Sequence, residues 1–416
     1  MTKPATAILH YSSPPTVGGV EAAILAHARE FAAAGYPVTV VSGRGSQDGL
    51  PEGAGFDPIP LMHSQHPEIL AVSRELENGV VSTEFDRLVA ELERQLEPVL
   101  APFDAVIMHN LFSKHFNLPL TAALNNLISR GVIKRPIQWI HDLSWTSQHS
   151  LGQMHEGYPW DLLRTMQPRS IYITISEARR NEIVSLFGCS PSAIKIIYDG
   201  VAPEDILGLS PTGSRLIRDL GVWSADLVLL MPVRVTQAKN IEYAIRLAAA
   251  LKEADIQPRI ILTGPPDPHD PEVWQYYQSL LDLRRQLGVE QEFRFVYEMG
   301  GPDSPMIIGQ DLVGELYRVA DFLFMPSHRE GFGMPVIEAG LVGIPVLSTP
   351  VPAAVEIGGK DVLIFSTNNT PESLADQILI WIEENPTVQM RRRVRLGFLW
   401  ESIFRREILP LITGER

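Results

Sequence analysis

The stretch MPSHREGFGMPVIE, from Met325 to Glu338, carries the strongest fold signal in this sequence. It follows a short apolar run typical of a strand, passes through a glycine-rich loop and continues into a helical pattern. Gly331 and Gly333 let the backbone approach a ligand closely, and Pro335 suits the first position of a helix. The N-terminal amides of that helix attract negative charge, so the stretch predicts a phosphate site between a strand and a helix.

Charged side chains on both sides of this loop refine the prediction. The carboxylates of Glu330 and Glu338 can accept hydrogen bonds from sugar hydroxyls, but they would repel a diphosphate placed directly against them. Cations are therefore required nearby. Arg234 and Lys239 supply them in the segment RVTQAKN, which follows the apolar run LVLLMPV. A guanidinium fork and a mobile ammonium together suit a diphosphate whose charge grows as it leaves.

Short β-branched runs alternate with helical patterns along most of the chain, which predicts α/β architecture with parallel sheets. The strands fall into two series. The first series is predicted near Ala7–Tyr11, Val38–Ser42, Ala105–His109, Ile137–His141, Ile171–Ile175 and Ile194–Tyr198. The second is predicted near Leu227–Val233, Arg259–Thr263, Arg294–Tyr297, Asp321–Met325, Pro345–Ser348 and Val362–Phe365.

The composition of the remaining segments predicts the domain organisation. Residues 199–214 are rich in Gly, Pro, Ser and acids, which indicates a linker, and residues 52–97 are irregular before a helix near Phe85–Leu96. We expect a first domain over 1–205, a second over 206–390, and a helical tail over about 391–416 that crosses back to the first domain. In open α/β sheets, ligands bind at the carboxyl ends of the strands, where Arg234 and Lys239 are predicted to lie.

The overall charge and the cysteine count limit the possible partners. A formal net charge of −14 over 416 residues opposes a general nucleic-acid-binding role. The single cysteine, Cys189, allows no intramolecular disulfide or cysteine-based zinc cluster, so we expect a reducing, cytoplasmic setting. No apolar run of about 18 residues predicts a membrane span, and no signal peptide is expected. The basic segment Arg391–Arg395 leaves peripheral contact with anionic lipid as a minor alternative to a solvated helix face.

Several short motifs, taken together and in their order along the chain, give this sequence a specific resemblance to a known protein family. They are Gly18-Gly19-Val20-Glu21 after the first strand, His141 after the fourth predicted strand, Asp199-Gly200-Val201, Arg234 with Lys239, and Glu330 with Glu338. This series resembles the retaining glycosyltransferases of the GT-B fold in the large group 1, family 4 type, which includes bacterial α-mannosyltransferases and sucrose-phosphate synthases. The likeness covers nearly the whole chain. It implies two Rossmann-like domains facing across a cleft, with the donor mainly on the second and the acceptor mainly on the first.

The resemblance also implies roles for individual residues. Arg234 and Lys239 would hold the donor diphosphate, and Glu330 would contact the transferred sugar. The remaining donor-side residues would contribute the ribose contact and main-chain amides around the diphosphate: Glu338, Phe332, Gly333, Met334 and Pro335. No metal or other cofactor is expected. The leaving phosphate itself would help to deprotonate the acceptor, with attack on the face from which it departs.

The resemblance assigns fewer residues to the first domain. His141 would hydrogen-bond a hydroxyl of the donor sugar, and Gly19 would lie against the phosphates or the acceptor. Gly18 and His109 are placed on the acceptor side. Each has a simpler alternative, since a histidine at a strand end can be structural and a glycine pair can serve a tight turn.

The sequence departs from the family pattern in two places. Asn240 follows the lysine where glycine is frequent, and Asp199 precedes Gly200 where asparagine is usual. The segment Asp267-Pro-His-Asp270 could suggest a metal site, but its prolines favour a loop.

The sequence therefore predicts a retaining glycosyltransferase that moves a sugar from a nucleotide diphosphate sugar to an unidentified hydroxyl acceptor. That acceptor could be a small molecule, a glycan or a lipid-linked group, and the oligomeric state stays open. Two alternatives remain: a non-hydrolysing nucleotide-sugar epimerase of the same fold, and a noncatalytic subunit that binds nucleotide sugars.

Overall fold

Thirteen strands form two parallel sheets in the computed structural model, which describes residues 2–269, 271–301 and 304–414. The first sheet has the order β3-β2-β1-β4-β5-β6-β7, and the second has the order β10-β9-β8-β11-β12-β13. The strands of the first sheet are β1 Thr6–His10, β2 Val38–Ser42, β3 Ala54–Pro58, β4 Ala105–His109, β5 Pro136–Ile140, β6 Ile171–Thr174 and β7 Ile194–Ile196. Those of the second are β8 Leu227–Met231, β9 Pro258–Leu262, β10 Phe293–Phe295, β11 Phe322–Met325, β12 Val346–Ser348 and β13 Leu363–Ile364.

Helices connect the strands and cover both faces of each sheet. In the first half of the chain they are α1 Gly19–Ala33, α2 Pro67–Glu77, α3 Thr83–Leu100, α4 Leu118–Ser129, α5 Glu177–Phe187, α6 Pro203–Leu207 and α7 Pro211–Asp219. In the second half they are α8 Ile241–Glu253, α9 Val273–Gln286, α10 Gln310–Val319, α11 Met334–Val342, α12 Pro371–Glu384, α13 Pro386–Gly397, α14 Trp400–Ile403 and α15 Leu409–Thr413. No helix in the described part of the chain is both long and apolar enough to cross a membrane.

Burial on both faces explains why the central strands read as continuous apolar runs. All five residues of β1, β4, β5 and β8 are buried. Successive side chains of a strand point to opposite faces, so Leu9 and Met108 enter one core of the first sheet while Ile8 and Ile107 enter the other. The second sheet is likewise covered on two sides. The predicted α/β class with two Rossmann-like sheets is confirmed.

One strand was missed by the sequence analysis. Strand β3 lies inside the segment 52–97 that we interpreted as irregular, and it pairs with β2 at the edge of the sheet. Gly55, Asp57 and Pro58 are poor strand formers, and an edge position tolerates them because only one neighbour must be hydrogen-bonded. The helix predicted near Phe85–Leu96 is present within α3.

The expected linker over 199–214 is largely helical instead. Helix α6 begins at Pro203 and α7 begins at Pro211, and the Ser210 hydroxyl accepts a hydrogen bond of 3.0 Å from the amide of Gly213. The prolines and serine that suggested a linker are therefore first-turn and N-cap residues.

The chain divides into two compact units. The first holds the chain up to Gly200 and again from Trp400, and the second is Val201–Leu399. The return to the first unit thus begins at Trp400, later than residue 391 where we placed it. Trp400 packs edge-on against His27 with ring centroids 5.3 Å apart, and Phe404 packs against Phe31 at 4.8 Å.

A buried ion pair explains why residues 391–399 stay with the second unit. The Arg395 guanidinium donates to both carboxylate oxygens of Asp321, at 2.9 and 2.8 Å, and to the carbonyls of Ala225 and Asp226. Asp321 also accepts from the amide of Val228 at 2.8 Å. The side chains of the pair are 3% and 0% exposed, so every charge and donor must be satisfied by the other elements of this unit.

Replacing Arg395 by methionine should destabilise the second unit. The change leaves the Asp321 carboxylate buried without its partner, which costs about 3–5 kcal/mol. Urea denaturation followed by circular dichroism measures the loss. Arg393→Met removes an exposed charge from the same helix and should change the free energy of unfolding by less than about 0.5 kcal/mol. Equal stability of the two variants would contradict a structural role for the ion pair.

Candidate functional site

The order of the second sheet brings two predicted site segments together. Strand β8 lies between β9 and β11, with Leu229 aligned with Phe322. After β8 the chain continues to β9 on one side, and after β11 it continues to β12 on the other side. Because these connections diverge, a crevice lies at the carboxyl ends of β8 and β11. The loop 232–240 follows β8 and the loop 326–333 follows β11, so both predicted motifs lie at this edge.

An ion pair joins the two loops. The Lys239 ammonium lies 2.7 Å from both carboxylate oxygens of Glu330, and the hydroxyl of Ser327 donates to one of these oxygens at 2.7 Å. The Lys239 and Glu330 side chains are 19% and 9% exposed. The sequence predicts contacts of these two residues with separate parts of the ligand, whereas in the structure they are paired with each other.

Backbone contacts hold the two loops in register. The amide of His328 donates to the carbonyl of Ala238 at 2.9 Å, and the side-chain amide of Asn240 donates to the carbonyl of Pro326 at 3.2 Å. Asn240 has a left-handed conformation with φ of 51°. Asparagine is one of the few residues that tolerate this region, so its presence where glycine is frequent keeps the turn and adds a hydrogen bond.

The glycine-rich loop ends where α11 begins. Gly333 precedes the helix with φ of 103°, a conformation that requires glycine. Pro335 is the second residue of the helix, one position later than predicted, while Phe332 and Met334 are exposed. The first amides of a helix have no partner within it, so those around Gly333 and Met334 are available to an anion.

Glu338 is held by a residue that the sequence analysis missed. The hydroxyl of Tyr317, on α10, donates to one carboxylate oxygen of Glu338 at 2.7 Å. Burial, followed by the hydrogen bond to Glu338, raises the pKa of Tyr317. The phenol therefore remains a donor and leaves the other carboxylate oxygen of Glu338 for a ligand. No motif in the sequence signals this contact, because the two residues lie on different helices.

Arg234 is placed differently from Lys239. Its side chain is 59% exposed, and its guanidinium forms an ion pair of 3.7 Å with the carboxylate of Asp267. A methyl group at Gly264 would lie 2.4 Å from the carbonyl oxygen of Val233, so this glycine is required for the loop after β9 to pass the Arg234 segment. Asp270, the other acid of the possible metal segment, lies outside the described residues.

A cavity of about 700 Å³ adjoins the ion pair. Its walls come from the loops after β11, β12 and β13, and its lining residues are Ser327, His328, Arg329, Glu330, Thr349, Pro350, Val351, Pro352, Ile364, Phe365, Ser366 and Thr367. The Thr349 hydroxyl donates to the carbonyl of Ser327 at 2.6 Å and fixes one wall to the other. This volume lies in the range of small-molecule pockets, which begins near ~300 Å³.

The first unit gathers histidines at the carboxyl ends of its central strands. A hydrogen bond of 2.9 Å joins His109 Nδ1 to His141 Nε2, and His10 Nδ1 donates to the carbonyl of His109 at 2.9 Å. His27 lies beside His109, with ring centroids 5.3 Å apart. The structure thus brings His109 and His141 together, and the contact leaves Nδ1 of His141 as the ring nitrogen available to a ligand.

Burial keeps these imidazoles uncharged at neutral pH. It lowers the pKa of His141 to about 4 and that of His27 to about 3, with neighbouring histidines adding to each shift. The pKa of His109 is also lowered well below its usual value by burial and by its three neighbours. His141 is therefore a neutral hydrogen-bonding group near pH 7 and presents no positive charge.

Asn110 organises this edge and was not assigned a role from the sequence. It follows β4 with φ of 58°, and its side-chain oxygen accepts from the amides of His141 at 2.8 Å and Asp142 at 3.2 Å. It therefore fixes the end of β5 relative to β4. An asparagine directly after a strand is the signal that could have identified it.

The glycine pair lies at the start of α1. Gly18 precedes the helix in an extended conformation that any residue can adopt, and a methyl group at Gly19 would meet open space. The carboxylate of Glu21 folds back over Gly18, where a methyl group would lie 2.2 Å from its oxygen, and it accepts a hydrogen bond of 2.5 Å from Ser12. Neither glycine is required by a positive φ, and a carboxylate of the chain itself already occupies the first turn.

No group of three or more His, Cys, Asp or Glu side chains within residues 2–269, 271–301 and 304–414 is arranged to hold a metal ion.

Two family models match the chain, one in each half. The model described as "Glycosyl transferases group 1" matches residues 216–395. The model described as "Glycosyltransferase Family 4" matches residues 17–205.

The chain is similar to curated glycosyltransferases over part of their length. It is 28% identical over 239 residues to an uncharacterized glycosyltransferase of Methanocaldococcus jannaschii, with 56% of this chain and 57% of that protein covered. It is 30% identical over 207 residues to a D-inositol 3-phosphate glycosyltransferase of Saccharomonospora viridis, with 48% and 45% covered. The matches thus span about half the length of these relatives.

Solved structures are similar over the whole chain but at low identity. A glycosyltransferase from Rickettsia africae is 15% identical, with a TM-score of 0.38 and complete coverage of both chains. HepE of Anabaena, solved in complex with UDP and glucose, is 19% identical, with a TM-score of 0.34 and coverage of 99% and 98%.

The histidine cluster should make the first unit sensitive to acid. An unfolded histidine with a pKa near 6.5 binds protons that folded His27 excludes, so the free energy of unfolding should fall as pH falls from 6.5 toward 4. Each such group contributes a slope of about 1.4 kcal/mol per pH unit. His27→Phe should reduce the slope by about this amount, as measured by urea denaturation between pH 6 and 4.

The exposed His149 offers the matched control for this measurement. His149→Phe makes the same chemical change at an exposed position. It should leave the slope of the free energy of unfolding against pH unchanged. An unaltered slope in His27→Phe would mean that His27 is not buried as an uncharged ring.

Proposed function

The chain belongs to the group 1 glycosyltransferases of family 4 type, and from this premise we propose that it transfers a sugar from a nucleoside diphosphate donor to a hydroxyl group with retention of configuration. The observation that supports this proposal best is the Lys239–Glu330 pair at the entrance to a glycine-rich helix start. A cation, a hydroxyl-binding carboxylate and free amides meet there. A diphosphate joined to a sugar requires this combination.

The diphosphate would be held without a metal ion. The first amides of α11 face the ligand, Arg234 is exposed and able to swing toward it, and Lys239 can share its three donors between Glu330 and a phosphate oxygen. These groups match the charge that develops on the leaving phosphate. Because the Asn240 hydrogen bond fixes the turn beside Lys239, little reorganisation is needed during the reaction.

The two carboxylates would bind hydroxyl groups of the donor. Glu330 is hydrogen-bonded to Lys239, and its carboxylate oxygens can also accept from hydroxyls of the transferred sugar. Glu338 uses one oxygen for Tyr317 and offers the other to the ribose. Neither carboxylate has to lie against the diphosphate in this arrangement. The electrostatic repulsion between carboxylate and diphosphate that we expect from the sequence is therefore avoided.

Retention is proposed to proceed by attack on the face from which the phosphate departs. The bond from the anomeric carbon to the phosphate oxygen breaks, the bond to the acceptor oxygen forms on the same face, and the acceptor proton passes to the leaving phosphate. His141 is proposed to contact a sugar hydroxyl through its neutral ring, a role that its lowered pKa permits near pH 7. A general acid at this position would need a higher pKa.

A cytoplasmic setting is proposed from the single cysteine, Cys189, which is free.

Replacing Lys239 by alanine should remove transfer while preserving the fold. A thermal-shift screen of UDP-, GDP- and ADP-sugars identifies the donor, and mass spectrometry of products formed from a metabolite extract measures turnover. We expect a loss of about 10²–10³-fold in turnover, because one cation is removed from the leaving phosphate.

Arg246→Ala provides the control, since it removes an exposed cation from the adjoining helix α8. It should turn over at the rate of the parent protein. Unimpaired transfer in Lys239→Ala would count against the assignment of this site.

The stereochemistry of the reaction separates the proposal from its alternative. We expect the product to keep the anomeric configuration of the donor, as measured by NMR coupling constants, with full activity in EDTA because cations of the protein meet the diphosphate charge. A donor incubated without acceptor should keep its ring stereochemistry. A change at a ring carbon would instead indicate a nucleotide-sugar epimerase, and inversion or loss of activity in EDTA would refute the mechanism.

A further inference from the structure

A second cavity, of about 250 Å³, lies entirely within the first unit. Its lining comes from helix α2 after β3, the loop after β4 and the loop after β5. It therefore opens at the carboxyl edge of the first sheet, where α/β proteins bind ligands. Its size is close to the lower limit of small-molecule pockets, ~300 Å³, and suits one sugar-sized ring better than a nucleotide.

The lining combines hydrogen-bonding groups with aromatic rings. Glu77, His115 and Gln153 contribute a carboxylate, an imidazole and an amide, while Phe116 and Trp160 contribute apolar ring surface. The hydroxyls of a sugar ring need the first kind of group, and its C–H faces pack on the second.

The polar groups are held in place by the surrounding loops. His115 Nδ1 lies 2.8 Å from the hydroxyl of Ser144, which also accepts from the amide of His115 at 3.1 Å. Gln153 donates to the carboxylate of Glu77 at 3.4 Å, and His155 hydrogen-bonds the carbonyl of Glu77 at 3.0 Å. The cavity thus has an ordered polar wall before any ligand binds.

The charge of the lining is negative. Among the described residues that line the cavity, Glu77 carries the one formal charge, because burial lowers the pKa of His115 and keeps its ring neutral. The nearest cation in sequence, Lys114, is not part of the lining, and its ammonium lies 4.8 Å from the ring centroid of the lining residue Phe116. A phosphate group in this cavity would face a carboxylate with no lining cation to offset it.

We propose that this cavity binds the acceptor and that the acceptor group it takes is a neutral polyhydroxylated ring, such as a sugar or a cyclitol without a phosphate. The inference rests on the proposed function and specifies its acceptor class. It sets the chain apart from the relatives named D-inositol 3-phosphate glycosyltransferases, whose named substrate carries a phosphate.

Binding of matched neutral and phosphorylated rings to the full chain tests the proposal. Saturation-transfer NMR is measured with myo-inositol and the methyl glycosides of glucose, mannose and galactose, each against its phosphorylated counterpart. At least one neutral ring should bind, and it should bind at least about tenfold more tightly than its phosphorylated counterpart. The difference is expected because the charged hydrogen-bond partner in the lining is the carboxylate of Glu77. No binding by any neutral ring, or tighter binding by the phosphates, overturns the proposal.

Two variants localise the binding. Ser73→Trp fills the cavity and should reduce the saturation transfer at least fivefold, whereas Ala71→Trp places the same ring on the exposed side of the same helix and should leave it unchanged. Glu77→Lys should reverse the preference toward the phosphorylated ring. Equal binding in the Ser73 and Ala71 variants, or no change of preference in Glu77→Lys, refutes the assignment of the cavity.

The shift in melting temperature caused by a nucleotide sugar distinguishes failure of the acceptor-cavity proposal from failure of the proposed function. Ser73→Trp and Glu77→Lys lie in the first unit, so the donor should still stabilise both variants as it does the parent. A parent chain that no nucleotide sugar stabilises would refute the donor site itself. A normal donor shift with unchanged ring binding in the variants would refute the cavity alone.

Discussion

The parallel pairing of β8 with β11 is the constraint on which the site in the second unit depends. Neighbouring parallel strands end at the same edge, so the loops after them must meet, although Lys239 and Glu330 are 91 positions apart in sequence. Lys239 reaches Glu330 for this reason. The strand order makes the two loops neighbours, and the hydrogen bonds of His328 to Ala238 and of Asn240 to Pro326 hold their charged ends within hydrogen-bonding distance.

The same pairing determines the charge that a ligand meets. Lys239 and Glu330 have opposite formal charges and are paired, which lets both remain largely buried in a protein of net charge −14. In the proposed donor site, the attraction for a diphosphate would then come from the helix amides after Gly333 and from the exposed guanidinium of Arg234. The pairing places a carboxylate at this edge of the sheet without adding net negative charge to the crevice.

The sequence predicts the parts of this arrangement that arise from local rules. Continuous apolar runs identify the buried strands, and Gly333 and Pro335 identify the helix start, because sheet burial and backbone geometry act on those residues directly. The sequence does not predict Tyr317 against Glu338, since that contact depends on how two helices pack. Edge strand β3 and the helices α6 and α7 were misread because glycine, proline and serine mark loops and helix starts alike.

The boundary at Trp400 illustrates why tertiary contacts override composition. Gly397 ends helix α13, but the apolar and basic pattern on its two sides is similar and does not show that the chain changes units there. The division comes from the bonding of Arg395 to Asp321 on one side and from the packing of Trp400 on His27 on the other. The buried ion pair of Arg395 keeps the chain in the second unit up to residue 399. Burial of apolar side chains keeps it in the first unit from Trp400 onward. The uncharged histidine cluster that receives Trp400 is thus both the packing surface for the returning chain and the support for His141. A substitution that introduces charge into this cluster would therefore disturb the fold of the first unit and the predicted contact with the sugar at the same time.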